Sequence, residues 1–550
     1  MNPRTGRLVA AAALLALPAS GWTQAAEAGS EYGWVSVLPP AIAIGLALAI
    51  RQVIPALFVG IFIGAWALAG FAPSALLSAV MQTADTYILD AIAEPDHAAV
   101  MLFTLLVGGM VGVISKNGGM LGIVDRIVSL ASTSRRAMAA TVAMGLAIFF
   151  DDYANTLIVG NTMRPITDRL KVSREKLAYL VDSTAAPVAC IALVTTWVGY
   201  EVGLIRDAVE QIPGLDLNPY AAFLNSITYS FYPLLALILV FTVVITGRDI
   251  GPMRAAEARA RRGQVAPGTA AARRSADDLQ DVHPEDHVPR RASSALIPIA
   301  VLVVGVVAGI LVTGDGDSLR AIIGSADPYK SLIWGSLAGS LVAIGISLVG
   351  RTLLLVDAVS AWFSGARAML FAIFILVLAW ALSGVTDALG TADYLVSLLD
   401  GRLNPGLLPA VVFVMAAATA FSTGSSWGTM GILLPLTVPL AWALMSSYGM
   451  TGAEHLPILY GTIAAVMGGA VWGDHCSPIS DTTILSSMAS QCDHIEHVRT
   501  QLPYALLSGL AALLLGALPA GFGVPWWLCL AAGAGFVVLV MLWRGRLPDS

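Results

Sequence analysis

The sequence predicts an all-α polytopic membrane protein, an inverted repeat with broken or re-entrant helices and roughly 11 spans after a signal-like N-terminus. Three observations carry that fold class. Of 550 residues, 57% are hydrophobic and only 12% charged, where a soluble domain carries roughly a quarter charged residues. Apolar runs of crossing length recur from residue 35 to residue 543. Polar clusters interrupt those runs at corresponding places in the two halves. The net charge of -6 argues against a nucleic-acid partner. Cys190, Cys476, Cys492 and Cys529 stand far apart, mostly among apolar residues. They form no disulfide framework and are expected as buried small hydrophobes.

The elements follow in order. In segment 1–28, Arg4 and Arg7 precede the apolar run "LVAAAALLALPASGW", and small residues lead to Ala26-Glu27-Ala28. That is the pattern of a secretory signal or a retained N-terminal anchor, and either leaves residue 30 outside the cytoplasm. Residues 35–246 make a first repeat, with apolar spans near 35–50, 53–70, 98–115, 177–199 and 221–246. An arginine-rich linker, 247–293, follows. A second repeat, 294–522, has spans near 294–313, 330–350, 366–384, 457–490 and 502–522, and an extra helix occupies 524–546. Segment 71–97 holds Asp85, Asp90, Glu94 and Asp96 without Lys or Arg, whereas 115–136 and 164–176 are basic. The positive-inside rule therefore places those two basic segments, the linker and the C-terminus in the cytoplasm.

Between the two basic segments the chain must enter the membrane and return, yet 137–163 is too short for two spans of roughly 20 residues. Its centre, "FFDDYANTLIVGNT", is expected to be a re-entrant hairpin or broken helix covered by protein or lining a water-filled cavity. The halves also resemble each other. "MLFTLLVGGMVGVISKNGGMLGIVDRI" from Met101 aligns without a gap with "MLFAIFILVLAWALSGVTDALGTADYL" from Met369. "FFDDYANTLIVGNTMRP" falls opposite "AFSTGSSWGTMGILLP", and "LAYLVDSTAAPVA" opposite "LPILYGTIAAVMG". A duplicated unit with an odd number of crossings inserts upside down the second time, an arrangement typical of secondary transporters.

In such repeats the site lies where matching helices are interrupted. Four interruptions stand out: Asp151-Asp152 with Asn155 and Thr156; Asp182-Ser183-Thr184 with Pro187; Ser422-Thr423-Gly424-Ser425-Ser426; and Gly473 to Thr483. In the last, Pro478 has no N–H for the carbonyl of Asp474, which is expected to be left free. Ser477, preceding proline, is pushed to an extended conformation, so the helix breaks. Ser480 and Asp481 read as the cap of a new helix near Thr482. Carbonyls, hydroxyls and the carboxylates of Asp474 and Asp481 at one break suit a small hard cation. An acid at the bilayer centre costs about 3 kcal/mol on insertion scales and by default marks an ion or proton path. A helix cap near an interface is the plainer reading of each.

Asp151 and Asp152 are adjacent, so their simultaneous ionisation is disfavoured, as a proton-coupled carrier requires. For at least one of the two, pairing with Arg164 or capping the hairpin is the alternative. Asp182 has no cation next to it in sequence and is a second proton or sodium candidate. Gly424-Ser425-Ser426 gains weight by lying opposite the Asp151 break, although small polar residues also serve helix packing. His475 suits pH sensing or simple hydrogen bonding. Cys492, His494 and His497 in "CDHIEH" have metal-like spacing, but at a helix end where a zinc site is not expected.

On these residues the sequence resembles the NhaC-type Na+/H+ antiporter family of the ion-transporter superfamily. "GDHCSPISDTTILSS" carries the likeness, supported by "FFDDYANTLIVGNTMRPI" and "FSTGSSWGTMGILLP". The resemblance implies a multi-pass protein of the bacterial inner membrane, in contact with lipid, with Na+ and H+ as transported ions and no cofactor. It leaves room for a Na+/H+-coupled exchanger or symporter of an organic acid of the malate or lactate type, or of an amino acid. Helix N-termini after Ser480 and Ser425 would suit such a carboxylate. The motifs themselves contain no arginine clamp. A channel is disfavoured by the inverted repeat, and an enzyme by the lack of an activated nucleophile or open metal site. Superfamily analogy points to a homodimer.

Overall fold

The computed structural model describes residues 32–50, 52–128, 131–193, 195–212, 214–215, 217–264, 288–316, 322, 326–391, 394, 403–478 and 480–547. The expected signal or anchor segment 1–28, residues 265–287 of the linker and Asp393 of the repeat alignment lie outside them. The regular structure of the described residues is helical apart from one isolated antiparallel bridge, Asp249 to Arg546.

The principal helices are α1 (Leu38–Ile50), α2 (Val53–Leu68), α3 (Pro95–Lys116), α4 (Ser134–Ala147), α5 (Asp152–Arg169), α6 (Arg174–Asp182), α7 (Thr196–Glu210), α8 (Pro219–Ile227), α9 (Phe231–Thr246), α10 (Gly251–Arg261), α11 (Ser293–Thr313), α12 (Pro328–Val349), α13 (Leu355–Ala368), α14 (Leu370–Ala388), α15 (Leu408–Thr423), α16 (Ser426–Ser447), α17 (Leu456–Cys476), α18 (Asp481–Ala489), α19 (His494–Ala511) and α20 (Trp526–Arg544). Among the described residues nine helical stretches are long and apolar enough to cross a membrane. The pair α8 and α9, bent by 41°, makes a tenth if counted as one span.

Two long apolar runs are interrupted where their polar residues and prolines predict, and one segment comes out differently. The run 177–199 is not one helix: α6 stops at Asp182, a single turn spans Ala186–Ala189, and α7 starts at Thr196. Pro187 lacks an N–H for the turn before it, and the Thr195 hydroxyl caps α7 by accepting from the N–H groups of Trp197 (3.1 Å) and Val198 (3.2 Å). The run 457–490 breaks into α17 and α18, as Pro478 requires. The segment around Gly424, opposite the predicted hairpin, forms two helices of crossing length, Pro405–Thr423 and Ser426–Ser447. Its first-half counterpart carries Arg135, Arg136, Asp151, Asp152, Arg164 and Asp168 and lacks that apolar length. There α4 and α5 pack on each other across a four-residue break at 148–151. The four cysteines are free and buried.

Helix packing places the breaks side by side. Helix α15 packs along α17, α5 and α6 along α18, and α7 along α3 and α16. At one end of the bundle the chain is strapped. Asp249 and Arg546 exchange backbone hydrogen bonds of 2.9 and 3.1 Å. The Asp249 carboxylate also pairs with buried Lys176 of α6 and accepts from Tyr504 Oη of α19 at 2.7 Å.

Candidate functional site

The site grows from the break between α17 and α18. Ser477 has φ −86°, ψ 127°, the extended conformation that a following proline imposes. Ser480 is the N-cap of α18, its Oγ accepting from the Thr483 N–H at 3.3 Å. The Asp474 carbonyl is not left free as the sequence suggested. It accepts from the Ser477 N–H at 3.0 Å and from the Thr483 hydroxyl at 3.3 Å. The chain curls tightly enough after Cys476 for nearby donors to replace the missing proline N–H.

The Asp474 side chain is fully buried. Its Oδ1 accepts from Ser480 Oγ at 2.7 Å and its Oδ2 from Thr482 Oγ1 at 2.6 Å. Hydroxyls of one short stretch thus hold the carboxylate by charge-assisted bonds. Gly473 allows the approach: a Cβ there would lie 2.1 Å from the Ala417 carbonyl oxygen. That contact seats α17 against α15, whose end is marked by Gly424 in the left-handed region (φ 71°). Ser477 Oγ ties the two breaks together by donating to the Phe421 carbonyl at 2.6 Å.

Asp182, at the C-terminal end of α6, joins the same cluster. Its Oδ2 accepts from Gln501 Nε2 at 2.5 Å and Thr483 Oγ1 at 3.4 Å, and His497 Nε2 stands 3.5 Å away. Thr483 is therefore shared between Asp182 and the Asp474 carbonyl. His475 Nδ1 faces Tyr232 Oη at 2.8 Å, and its carbonyl accepts from Gln501 at 3.1 Å. Both Asp182 and His475 are buried. The C-terminal ends of α6, α15 and α17 thus converge on one oxygen-rich cluster. Helix C-termini present partial negative charge, which favours a cation.

The first-half break lies against this cluster. Asn155 Nδ2 donates to the Gly145 carbonyl (2.7 Å) across the α4–α5 hairpin and to the Thr184 carbonyl (2.9 Å). Asp151 accepts from Thr196 Oγ1 at 3.2 Å. Asp151 and Asp152 are both buried. The Thr156 hydroxyl turns to the Asp152 carbonyl at 2.8 Å, and Thr184 Oγ1 to the Leu180 carbonyl at 2.8 Å. Ser183 is buried in the break after α6. Ser422 and Thr423 bond carbonyls one turn back in their own helix, each at 2.9 Å, and are not drawn into the cluster. Ser425 caps α16, accepting from the Gly428 N–H at 3.2 Å, and Ser426 donates to the Ala470 carbonyl at 3.3 Å. Asp481 begins α18, but its side chain lies outside the described residues.

Sequence reading missed His497, Gln501 and Tyr232. His497 was visible only as part of a metal-like spacing, and Gln501 and Tyr232 carry no local signal. A cavity of about 370 Å³ opens beside this region, lined by Asp151, Tyr153, Asn161, Thr162, Ser115 and Met488 among others. Arg164 stands at its edge, donating to Asn161 Oδ1 and to the Ala489 carbonyl, each at 3.4 Å.

The model of the Na+/H+ antiporter family matches residues 188–518, more than half of the chain. The chain belongs to that family. Its matched region contains α7, the breaks at Gly424 and Pro478, and the partners His497 and Gln501. An uncharacterized protein of Haemophilus influenzae is 32% identical over 86% of this chain and 88% of its own length. The malate-2H+/Na+-lactate antiporter of Bacillus subtilis is 32% identical over 24% of this chain and 26% of its own. The solved structure of the YdaH transporter of Alcanivorax borkumensis superposes with a TM-score of 0.54 at 15% identity, covering 81% of this chain and 90% of that one. The chain is a multi-pass membrane protein of a transporter family and works as an antiporter.

Proposed function

We propose that the chain exchanges Na+ for H+ across the bacterial inner membrane, with Na+ bound at Asp474. One observation carries this reading. Two buried acids, Asp474 and Asp182, meet through Thr483 where the ends of α6, α15 and α17 converge. Such a cluster of carboxylates, hydroxyls and helix-end carbonyls suits Na+. Asp182 and His497 border the same space, and Asp151 and Asp152 lie at the adjoining break. A proton and a sodium ion competing for the same carboxylates is sufficient for exchange. The inverted repeat supplies the motion: one repeat-built unit rocks against the other around the fixed cluster. The basic segments, including the strapped end with Lys176, face the cytoplasm. Superfamily analogy adds a homodimer.

A second reading keeps the ions as coupling partners and makes the cargo a small organic acid or amino acid. The cavity beside Asp151, with Arg164 at its edge, favours it. So does the printed name of the Bacillus subtilis relative.

Proteoliposomes holding an imposed pH gradient separate the two. Under the first reading Na+ alone collapses the gradient, and Asp474→Asn abolishes the effect. Under the second, Na+ alone does nothing until malate, lactate or an amino acid is added. A gradient that collapses equally fast with Asp474→Asn refutes the sodium site.

A further inference from the structure

One buried acid stands apart from the cluster. Glu201, in α7, is fully buried, and its carboxyl oxygens meet no oxygen or nitrogen hydrogen-bond partner. The Cys190 thiol, a weak donor, is the titratable group that bears on it. Burying an ionised carboxylate without partners is prohibitively costly, so in this conformation Glu201 is held as the neutral acid. A leucine or glutamine would fill the position at lower cost.

Its surroundings give that acid a use. The first two turns of α7 hold both halves of the molecule at their breaks. The Thr196 N–H donates to the Phe150 carbonyl at 2.9 Å, and its hydroxyl donates to Asp151 at 3.2 Å, both at the first-half break. Tyr200 Oη donates to the Trp427 carbonyl at 2.5 Å, three residues past Gly424 in the second half. Trp197 lies one turn before Glu201, on its face of the helix, with its ring 5.2 Å from that of Trp427. Any rocking of one break against the other moves α7 relative to at least one of them, and with it the packing around Glu201.

The other titratable groups on α7 and its neighbours are engaged elsewhere or lie at helix ends. From α3, His97 faces Asp207 at 3.5 Å and stacks on Trp380, while Lys116 ends its helix. Arg206 pairs with Glu94 and Glu210. Tyr220 of α8 donates to the Leu193 carbonyl, Asp387 lies at the end of α14, and α16 brings no titratable group.

We propose that Glu201 takes up and releases a proton in each transport cycle, as a proton site separate from Asp474 and Asp182. Its O–H bond forms with a proton from water on one side and breaks to water on the other. No co-reactant is needed. The proposal rests on the Na+/H+ exchange reading above.

The test measures protons exchanged per sodium in proteoliposomes. A fixed Na+ gradient is set, and the opposing pH gradient that stops net flux of radioactive sodium is found. Glu201→Gln is expected to keep sodium flux with one fewer proton per sodium than wild type. An unchanged ratio in a transporting Glu201→Gln protein overturns this inference and leaves the exchange reading intact. If Glu201→Gln moves no sodium, Glu201→Asp decides. Coupled flux restored by the shorter acid supports the proton site, and its absence assigns Glu201 a packing role and overturns the proposal. A wild type that moves no protons with Na+ refutes the exchange reading, and this inference falls with it.

Discussion

Thr482→Val isolates one bond of the sodium site. Valine keeps the β-branched shape and removes only the hydroxyl, whose Oγ1 donates to Asp474 Oδ2 at 2.6 Å. The residue is 3% exposed, so water does not replace the lost donor at no cost. A hydrogen bond to a charged group contributes about 1.5–3 kcal/mol. Removing it favours the protonated acid over the carboxylate by that amount, and Na+ must then displace a proton held more tightly. At 1.4 kcal/mol per decade, apparent Na+ affinity at fixed pH should weaken by roughly 10- to 100-fold. The assay is Na+ activation of proton flux in everted vesicles, normalised to protein in the membrane. Thr437→Val is the control, because that buried hydroxyl bonds only the Leu433 carbonyl in its own helix at 2.7 Å; its Na+ affinity should match wild type. If Thr482→Val also stays within about twofold of wild type, Asp474 is not where Na+ and H+ compete.

Other perturbations test the frame around the site. Gly473→Ala should abolish assembly, since its Cβ would fall 2.1 Å from the Ala417 carbonyl oxygen and 2.8 Å from the Phe421 nitrogen; gel filtration of the purified protein reads it. Asp249→Asn removes the ion-pair partner of Lys176, which is 1% exposed, leaving it only the Glu257 carboxyl, and should lower stability by up to about 3–5 kcal/mol, seen as a drop in Tm. The Glu257 carboxyl of α10 is raised above its ordinary value of 4.5, mainly by burial and further by Asp249, while Lys176 and the bonds from Ser173 pull it down. A raised folded-state value means its stabilising contribution is complete below 4.5 and fades as pH rises through the folded value. Glu257→Gln should remove that part of the decline in Tm as pH rises.

Local chemistry was legible in the sequence wherever one residue dictates its own backbone. Pro478 announced the break after α17, Ser480 announced its cap, and the short basic-flanked segment around Asp151 announced a paired break. Apolar composition was a poorer guide to continuity. By hydropathy alone the run 177–199 reads as one span, because threonines and a single proline barely lower it; its interruption was marked by Asp182-Ser183-Thr184 and Pro187, and Thr195 caps the helix that restarts. The stretch around Gly424 was matched to a hairpin by sequence likeness, whereas its lack of charge gave it the length of two full helices. The rest of the site depends on long-range assembly. Gln501 reaches Asp182 across 319 positions of sequence, and no local pattern specifies that contact. Glu201 shares its helix with Arg206, Asp207 and Glu210, and nothing in the sequence sets it apart from those charged neighbours.

The backbone exchange between Asp249 and Arg546 sets a rule for anyone handling this protein. Arg546, which follows the C-cap Gly545 of α20, closes a non-covalent ring around the second half of the chain. Arg248 adds a second tie by donating to the Gly545 carbonyl at 3.3 Å. Trimming the C-terminus back to Arg544 would cut that ring, withdraw the clasp that seats Asp249 over Lys176, and loosen α6 at the end opposite Asp182. An affinity tag or fluorescent fusion is therefore best joined beyond Leu547, with the native tail kept.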